Sequence, residues 1–487
     1  MKQTIVREAK NFIGGRWLSA ADEPIQLFNP ANYDELVAVV QNSSEKEVNL
    51  AVEAAAAAKQ KWALTSGPER AACLQRAADL FEKYADELAE IATKEMGKRL
   101  AETKAEVQRS ASILRYYAGE GFRKLGEVLP SSDPSNLFLS KRVPVGVVAV
   151  IAPWNFPLAI PVWKMAPALA YGNTVVFKPA LEASATGARI VEIFEEAQFP
   201  PGTVNLVIGR GSRIGDALVQ HEKVDAITVT GSNAIGCEIA KKAAARGAKY
   251  QLELGGKNPA IVLKDADLDF AARLVVEGAM KQTGQRCTAT SRVFVEKEVI
   301  SAFREKVVQE VQRIRVGDGM DPNVTMGPVV SKNQYETILR YIEIGKREGR
   351  LITGGKACPH LNGWYIEPTV FDHVSNTAII AREEIFGPVL SIIETASLDE
   401  AISMANDTIY GLSASLFTND LSKALYFVDR IEAGMVQVNG ETGGAEPQAP
   451  FGGMKQSSSG TREQGQAAVE FFTTYKTVAI RPQPFKG

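Results

Sequence analysis

Apolar positions between residues 45 and 120 recur at helical spacing. Val48, Ala51, Val52 and Ala55 share one face, and Leu74, Ala77, Ala78 and Phe81 share another. The small residues from 54 to 58 belong to such a helix. At Arg142 the period changes. Apolar, β-branched runs at 145–151, 174–177, 204–208, 226–229 and 251–254 alternate with helical stretches at 159–171, 184–197, 212–220 and 235–245. Short buried strands separated by helices predict βαβ units around a parallel sheet. After Gly255 a second pattern of this kind begins, with strands at 260–263, 291–295, 389–393, 413–417 and 434–438. The fold class is therefore α/β, in two blocks. Two segments fit neither. Residues 122–141 are polar and extended, with Pro130 and Pro134, and 471–480 are rich in β-branched and aromatic side chains. Lone strands of this kind would expose unpaired edges, which a sheet shared between subunits would satisfy. A homo-oligomer, dimer or tetramer, is expected.

Length and composition narrow the class. A chain of 487 residues suggests roughly three domains. Hydrophobic content of 45% and charged content of 23% suit a soluble globular protein. A formal charge of −2 argues against nucleic acid as the main partner and against a polybasic membrane contact. The longest apolar run, 143–153, is broken by Pro144 and Gly146 and falls short of the ~20 residues that span a bilayer. The first sixteen residues carry charges throughout and lack a signal-peptide core, so a cytoplasmic location is expected. Cys73, Cys237, Cys287 and Cys358 are too few for a disulfide framework. The tight pair Cys358-Pro359-His360 lacks further ligands nearby, and no metal site is expected.

Three residues carry the chemistry. Cys287 lies in Gln282-Thr283-Gly284-Gln285-Arg286-Cys287-Thr288, a polar, Gly-containing stretch unlike the core that usually holds a structural thiol. Glu253 ends an apolar strand running into Gly255-Gly256, where desolvation would raise its pKa toward that of a base working near neutrality. Asn155, in Pro153-Trp154-Asn155-Phe156-Pro157, offers an amide donor in a rigid loop. A thiol that attacks, an amide that holds an oxyanion and a carboxylate that activates water make a set for covalent chemistry at a carbonyl. Arg286 would lower the thiol pKa from about 8.5 only if its side chain faces the site. With the cysteine in the second block, the site is expected at the seam between domains. Thr230-Gly231-Ser232-Asn233-Ala234-Ile235-Gly236 follows a strand and opens a helix, as a phosphate-binding turn does, though without the G-x-G-x-x-G fingerprint. Lys178 ends the strand 174–177, at the sheet edge where ligands bind.

Taken together, Pro153-Trp154-Asn155-Phe156-Pro157, Phe177-Lys178-Pro179, Thr230-Gly231-Ser232, Glu253-Leu254-Gly255-Gly256-Lys257, Gly284-Gln285-Arg286-Cys287, Glu384-Ile385-Phe386-Gly387-Pro388 and Pro450-Phe451-Gly452-Gly453-Met454-Lys455 resemble the aldehyde dehydrogenase superfamily across essentially the whole chain. The resemblance implies two Rossmann-type α/β domains and a small oligomerisation β-sheet. Residues 1–121 and 143–254 would bind the cofactor, 255–470 would be catalytic, and 122–142 with 471–487 would form the arm, in a homotetramer or dimer. It implies NAD- or NADP-dependent oxidation of an aldehyde to its carboxylate. Cys287 would form the thiohemiacetal, Asn155 and the Cys287 N–H would hold the oxyanion, and Glu253 would activate the hydrolytic water. Lys178 would contact the adenosine ribose, Ser232 the pyrophosphate and Glu384 the nicotinamide ribose, with Phe386 near the ring. Trp154, Gly211, Gly215, Gly231 and Leu254 would complete the cofactor site.

One departure bears on cofactor choice. Many NAD-preferring members carry a glutamate three residues after the lysine; here that position is Leu181, followed by Glu182, so acceptance of NADP is expected. Around Asn155 and Cys287 the chain is most similar to the α-ketoglutaric semialdehyde (2,5-dioxopentanoate) dehydrogenases. A succinic semialdehyde or broad-specificity enzyme is the alternative. The succinic semialdehyde branch commonly has arginines where this chain has Trp163 and Lys281. A substrate carboxylate would then fall to Lys281 or Arg286, while Trp163 would favour a longer or partly apolar chain. Glu253 in the deacylating position favours hydrolysis over transfer of the acyl group to CoA.

Overall fold

Five of the runs read as buried strands pair in parallel. The computed structural model describes residues 6–481 and 483, so the first five residues and part of the expected arm (482 and 484–487) lie outside it. The first sheet has seven strands in the order Lys249–Glu253, Ala226–Thr230, Val147–Ala152, Thr174–Pro179, Val204–Leu206, Asn11–Ile13 and Arg16–Leu18. The last two add as an antiparallel hairpin at the edge. Side-chain alternation explains the unbroken apolar runs. Val148 and Val150 face a core shared with the helices Gly67–Lys83, Leu100–Glu120 and Ala159–Ala170. Val147 and Ala149 face the opposite one, with Glu45–Leu64, Gly211–Gln220 and Asn233–Ala245. Ser44 and Ser66 start their helices with capping boxes that satisfy otherwise unpaired N–H groups.

The second sheet also has seven strands: Arg350–Thr353, Thr369–Asp372, Val389–Thr395, Thr290–Glu296, Asn258–Val262, Ser413–Phe417 and Met435–Val438. All neighbours pair in parallel except the first two. Leu412, Phe451, Ala468, Phe471 and Phe472 pack into the first block's core, so the end of the second segment closes over the first sheet. The two unassigned segments meet in one antiparallel sheet, with Leu137–Pro144 between Gly126–Leu129 and Thr473–Ile480. Val128, Tyr475 and Ile480 on it are exposed. No helix among the described residues is long and apolar enough to cross a membrane.

One feature of the first sheet positions the site. Val147–Ala152 pairs with the next strand in sequence, Thr174–Pro179, on one side and with the later Ala226–Thr230 on the other. The strand order reverses there, and a crevice opens beyond the carboxyl ends of strands at such a switch. The loops that leave those ends are Pro153-Trp154-Asn155 and Gly231-Ser232.

Candidate active site

The crevice is a cleft of about 850 Å³, lined at its outer end by Lys178, Leu181, Glu182, Arg210, Gly211 and Gly215. It shares Trp154, Thr230, Gly231 and Ser232 with an inner cavity of about 310 Å³, where Asn155, Leu254, Cys287, Glu384 and Phe386 meet. Two helices start on the cleft, Gly211–Gln220 and Asn233–Ala245, and neither has a side-chain cap bond at its N-terminus. Their first N–H groups remain free for an anion. The space beside Gly231 is open, with nothing within 4 Å of an added Cβ. Trp154 and Phe386 meet edge to face at 5.5 Å across the junction of the two spaces. Phe386 holds a left-handed φ of 56° to do so. Uncapped helix ends, a stacking pair and an elongated cleft fit a dinucleotide.

Charged groups along this path are perturbed by burial. Lys178 donates to the Pro179 carbonyl at 2.6 Å, and desolvation pulls its ammonium down to about 8, opposed by Glu182. Glu384 accepts from the Gly256 N–H at 2.9 Å and is pushed up to about 7 by burial. It lies so close over the glycine turn that a Cβ at Gly255 would come within 2.3 Å of its Oε2.

Cys287 is partly exposed at the inner end. Three consecutive left-handed residues, Gln282, Thr283 and Gly284, bend the chain just before it. Gly284 is required there, because a Cβ would meet the Gly387 carbonyl at 2.1 Å. The Asn155 Nδ2 donates to the Gln285 carbonyl at 3.0 Å, and Asn258 donates to the Cys287 carbonyl at 2.8 Å. The oxyanion candidate and the thiol are thus tied to one loop. Burial, then Glu384 and Glu253, push the Cys287 thiol up to about 12, only partly countered by Arg286.

Glu253 is buried on the other side. Its Oε2 accepts from the Ser458 hydroxyl at 2.7 Å, and its Oε1 has no partner among the described residues. Desolvation and the neighbouring Glu463 hold it well above the usual carboxylate range, against the opposing pull of Ser458, Lys164 and Arg462. Glu463 is the hub of a buried cluster. It accepts from Trp163 Nε1 at 2.7 Å, from Thr228 Oγ1 at 3.2 Å and from the Lys164 ammonium.

The three residues read as substrate contacts have defined places. Trp163 is buried, held by Glu463 and stacked on Phe451 at 5.2 Å. Lys281 pairs with Glu277 at 3.1 Å and Glu441 at 3.2 Å. Arg286 donates to the Gly278 carbonyl at 2.6 Å and pairs with the same Glu441 at 3.4 Å. Both cations turn toward that acid. Sequence reasoning missed Ser458, Glu463 and Lys164. It also missed the buried Lys98–Glu106 pair, which holds the Asn155 loop: Lys98 donates to the Asn155 carbonyl at 3.0 Å, and Glu106 accepts from the N–H groups of Leu158 and Ala159. The serine run 457–459, one residue after Pro450–Lys455, was the one available signal for Ser458. Cys237 is exposed and lines a separate apolar pocket of about 440 Å³ with Tyr250 and Leu252.

Comparison with known proteins identifies the lineage. Residues 17–478 match the aldehyde dehydrogenase family. The chain is 52% identical to an alpha-ketoglutaric semialdehyde dehydrogenase of Bacillus subtilis, over 97% of this chain and 98% of that one. It is 43% identical to a 2,5-dioxopentanoate dehydrogenase of Saccharolobus solfataricus, over 96% and 98% respectively. In structure it is similar to a betaine aldehyde dehydrogenase from Staphylococcus aureus solved with NAD+, with a TM-score of 0.95, 34% identity, and coverage of 98% of this chain and 96% of that one. With the family match spanning nearly its full length, the chain belongs to the aldehyde dehydrogenase family.

Proposed function

We propose that this protein is an NAD(P)-dependent dehydrogenase that oxidises α-ketoglutaric semialdehyde to 2-oxoglutarate through a thioester on Cys287. The observation that carries the reading is the meeting of Cys287 and Asn155 at the inner end of a dinucleotide-sized cleft, with Glu253 buried beside them. The choice of aldehyde is supported by the 52% identity to a relative of that name.

Cys287 gives its thiol proton to solvent and attacks the aldehyde carbon as the thiolate; the carbonyl electron pair moves to oxygen, and that alkoxide is held by Asn155 Nδ2 and the Cys287 N–H, donors fixed before the charge develops. The Asn155 Nδ2 carries two hydrogens: one stays on the Gln285 carbonyl and fixes the amide, and the other meets the oxyanion. Lys178, Ser232 and Glu384 would hold the cofactor, with Trp154 and Phe386 beside it; bound NAD(P)+ would supply the acceptor for the hydride leaving the carbon and a positive charge that favours the thiolate. The thioester then meets water deprotonated by Glu253. Burial and the neighbouring Glu463 raise the Glu253 carboxylate above its ordinary range, which makes it a stronger base toward water. NADP is accepted beside NAD. Leu181 leaves room where a carboxylate would repel a 2′-phosphate, and Arg210 lines the same end with no ion pair among the described residues. The exposed apolar residues of the antiparallel sheet around Leu137–Pro144, and its unpaired outer edges, support assembly into a homo-oligomer.

Initial rates of NAD(P)H formation test this, with α-ketoglutaric semialdehyde, succinic semialdehyde and an uncharged aliphatic aldehyde, each with both cofactors. The reading expects the keto-acid semialdehyde to lead in kcat/KM. Equal rates with the uncharged aldehyde would make the enzyme a broad-specificity one, and a preference for NAD above a thousandfold would remove NADP.

A further inference from the structure

The cations expected to meet a substrate carboxylate already have partners. Lys281 and Arg286 converge on Glu441. A different cation stands over the aromatic wall. Arg109, on the helix Leu100–Glu120, places its guanidinium 5.7 Å from the centre of the Trp163 ring. Trp163 stacks on Phe451, and both pack in the apolar cluster that the Cys287 side chain adjoins. Arg109 makes one side-chain bond, from its Nη2 to the Gln464 Oε1 at 3.3 Å, and no ion pair among the described residues. Its acidic neighbours are Glu106 and Glu446. Glu106 is committed to Lys98 and to the N–H groups of Leu158 and Ala159, and Glu446 lies exposed on the 440–450 loop.

Two buried donors are left without acceptors side by side: the Nε of Arg109 and the Nε2 of Gln464. A buried N–H without a partner is costly, and two of them on touching side chains ask for an anionic acceptor. Gln464 is held for this. It sits at a left-handed φ of 59°, is fully buried, and follows Glu463, whose backbone pairs with Phe451 at 2.7 and 2.8 Å. The Phe451–Glu463 bridge therefore sets the ring against Trp163 and the amide against Arg109 together.

We propose that Arg109, with Gln464, binds the distal carboxylate of the aldehyde substrate. This rests on the reading that the substrate is a semialdehyde acid. The apolar middle of the chain lies along Trp163 and Phe451, and the carboxylate accepts from the Arg109 Nε and the Gln464 amide. Desolvation already weakens the hold of the guanidinium on its proton, so an arriving carboxylate replaces hydration that burial has removed. The fork of arginine suits a planar carboxylate in a way that lysine does not.

The test compares kcat/KM for α-ketoglutaric semialdehyde with that for pentanal, in the native enzyme and in Arg109→Met and Arg109→Lys. A native enzyme without preference for the acid overturns the substrate reading itself. With that preference in place, Arg109→Met should lower the acid-to-pentanal ratio by about tenfold to a hundredfold, the worth of hydrogen bonds to a charged group, chiefly through KM for the acid. Arg109→Lys should fall between, and it keeps the charge if the methionine variant does not fold. A ratio within about twofold of native in folded Arg109→Met, or in Arg109→Lys where the methionine variant does not fold, or an equal loss for both aldehydes, overturns the role of Arg109 and returns the carboxylate to Lys281 or Arg286.

Discussion

Replacing Ser458 by alanine should move the pH dependence of turnover, and the structure gives the sign. The Ser458 hydroxyl accepts from the Gly453 N–H at 2.6 Å, so its proton is free to point at Glu253 Oε2, 2.7 Å away. A committed donor of this kind favours the charged carboxylate and lowers its pKa. It works against burial and Glu463, which raise it. A hydrogen bond to a charged group is worth about 1.5–3 kcal/mol, and one pKa unit corresponds to about 1.4 kcal/mol. Loss of the bond should therefore raise the Glu253 pKa by about one to two units. The basic form then appears only at higher pH, and the acid limb of kcat moves up by that amount. Below the limb, turnover falls by about tenfold to a hundredfold. The assay is rapid-mixing measurement of NAD(P)H across pH, separating the first turnover from the steady rate, with Ser458→Thr as the variant that keeps the hydroxyl. An unmoved acid limb in a folded Ser458→Ala enzyme would refute the reasoning, as would an equal shift in Ser458→Thr.

Glu463→Gln should shift the same limb in the opposite direction, because it removes the negative charge that raises Glu253 and leaves Ser458, Lys164 and Arg462 to lower it; the same pH series reads it. Gly255→Ala should raise the KM for the cofactor by tenfold or more (about 1.4 kcal/mol), since its Cβ would displace the Glu384 carboxylate from 2.3 Å away; fluorescence titration with NAD(P)H measures the loss directly. Glu106→Gln should lower both the melting temperature and kcat. It breaks a buried ion pair, whose loss of one partner costs about 3–5 kcal/mol, and loosens the loop that carries Asn155. Calorimetry and steady-state rates check the two parts.

The central strands of both sheets were legible because burial on two faces writes continuous apolar runs, and the observed bounds differ from the expected ones by only a few residues. The strands Asn11–Ile13 and Arg16–Leu18 were not. Three residues at a sheet edge show no period, and their pairing depends on Val204–Leu206, far away in the chain. Cys287 and Asn155 stood out because each lies in a loop whose composition is unlike a core, and Glu253 because a carboxylate ends an apolar strand. The buried charges behind them, Lys164 with Glu463 and Lys98 with Glu106, carry no such mark, since a lysine bound for the interior reads like one bound for solvent. The direction of Arg286 was equally unreadable. It is set by the left-handed turn at Gln282, Thr283 and Gly284 and by Glu441, which is distant in sequence.

The central claim is that the aldehyde carbon is oxidised while bound to Cys287 and released by Glu253. Intact-mass and peptide mapping of a Glu253→Gln enzyme, quenched after mixing with oxidised cofactor and α-ketoglutaric semialdehyde, addresses it directly. The account predicts one burst of NAD(P)H per site and an acyl adduct on Cys287 that persists. Continued turnover without an adduct, or an adduct on any other residue, would contradict it.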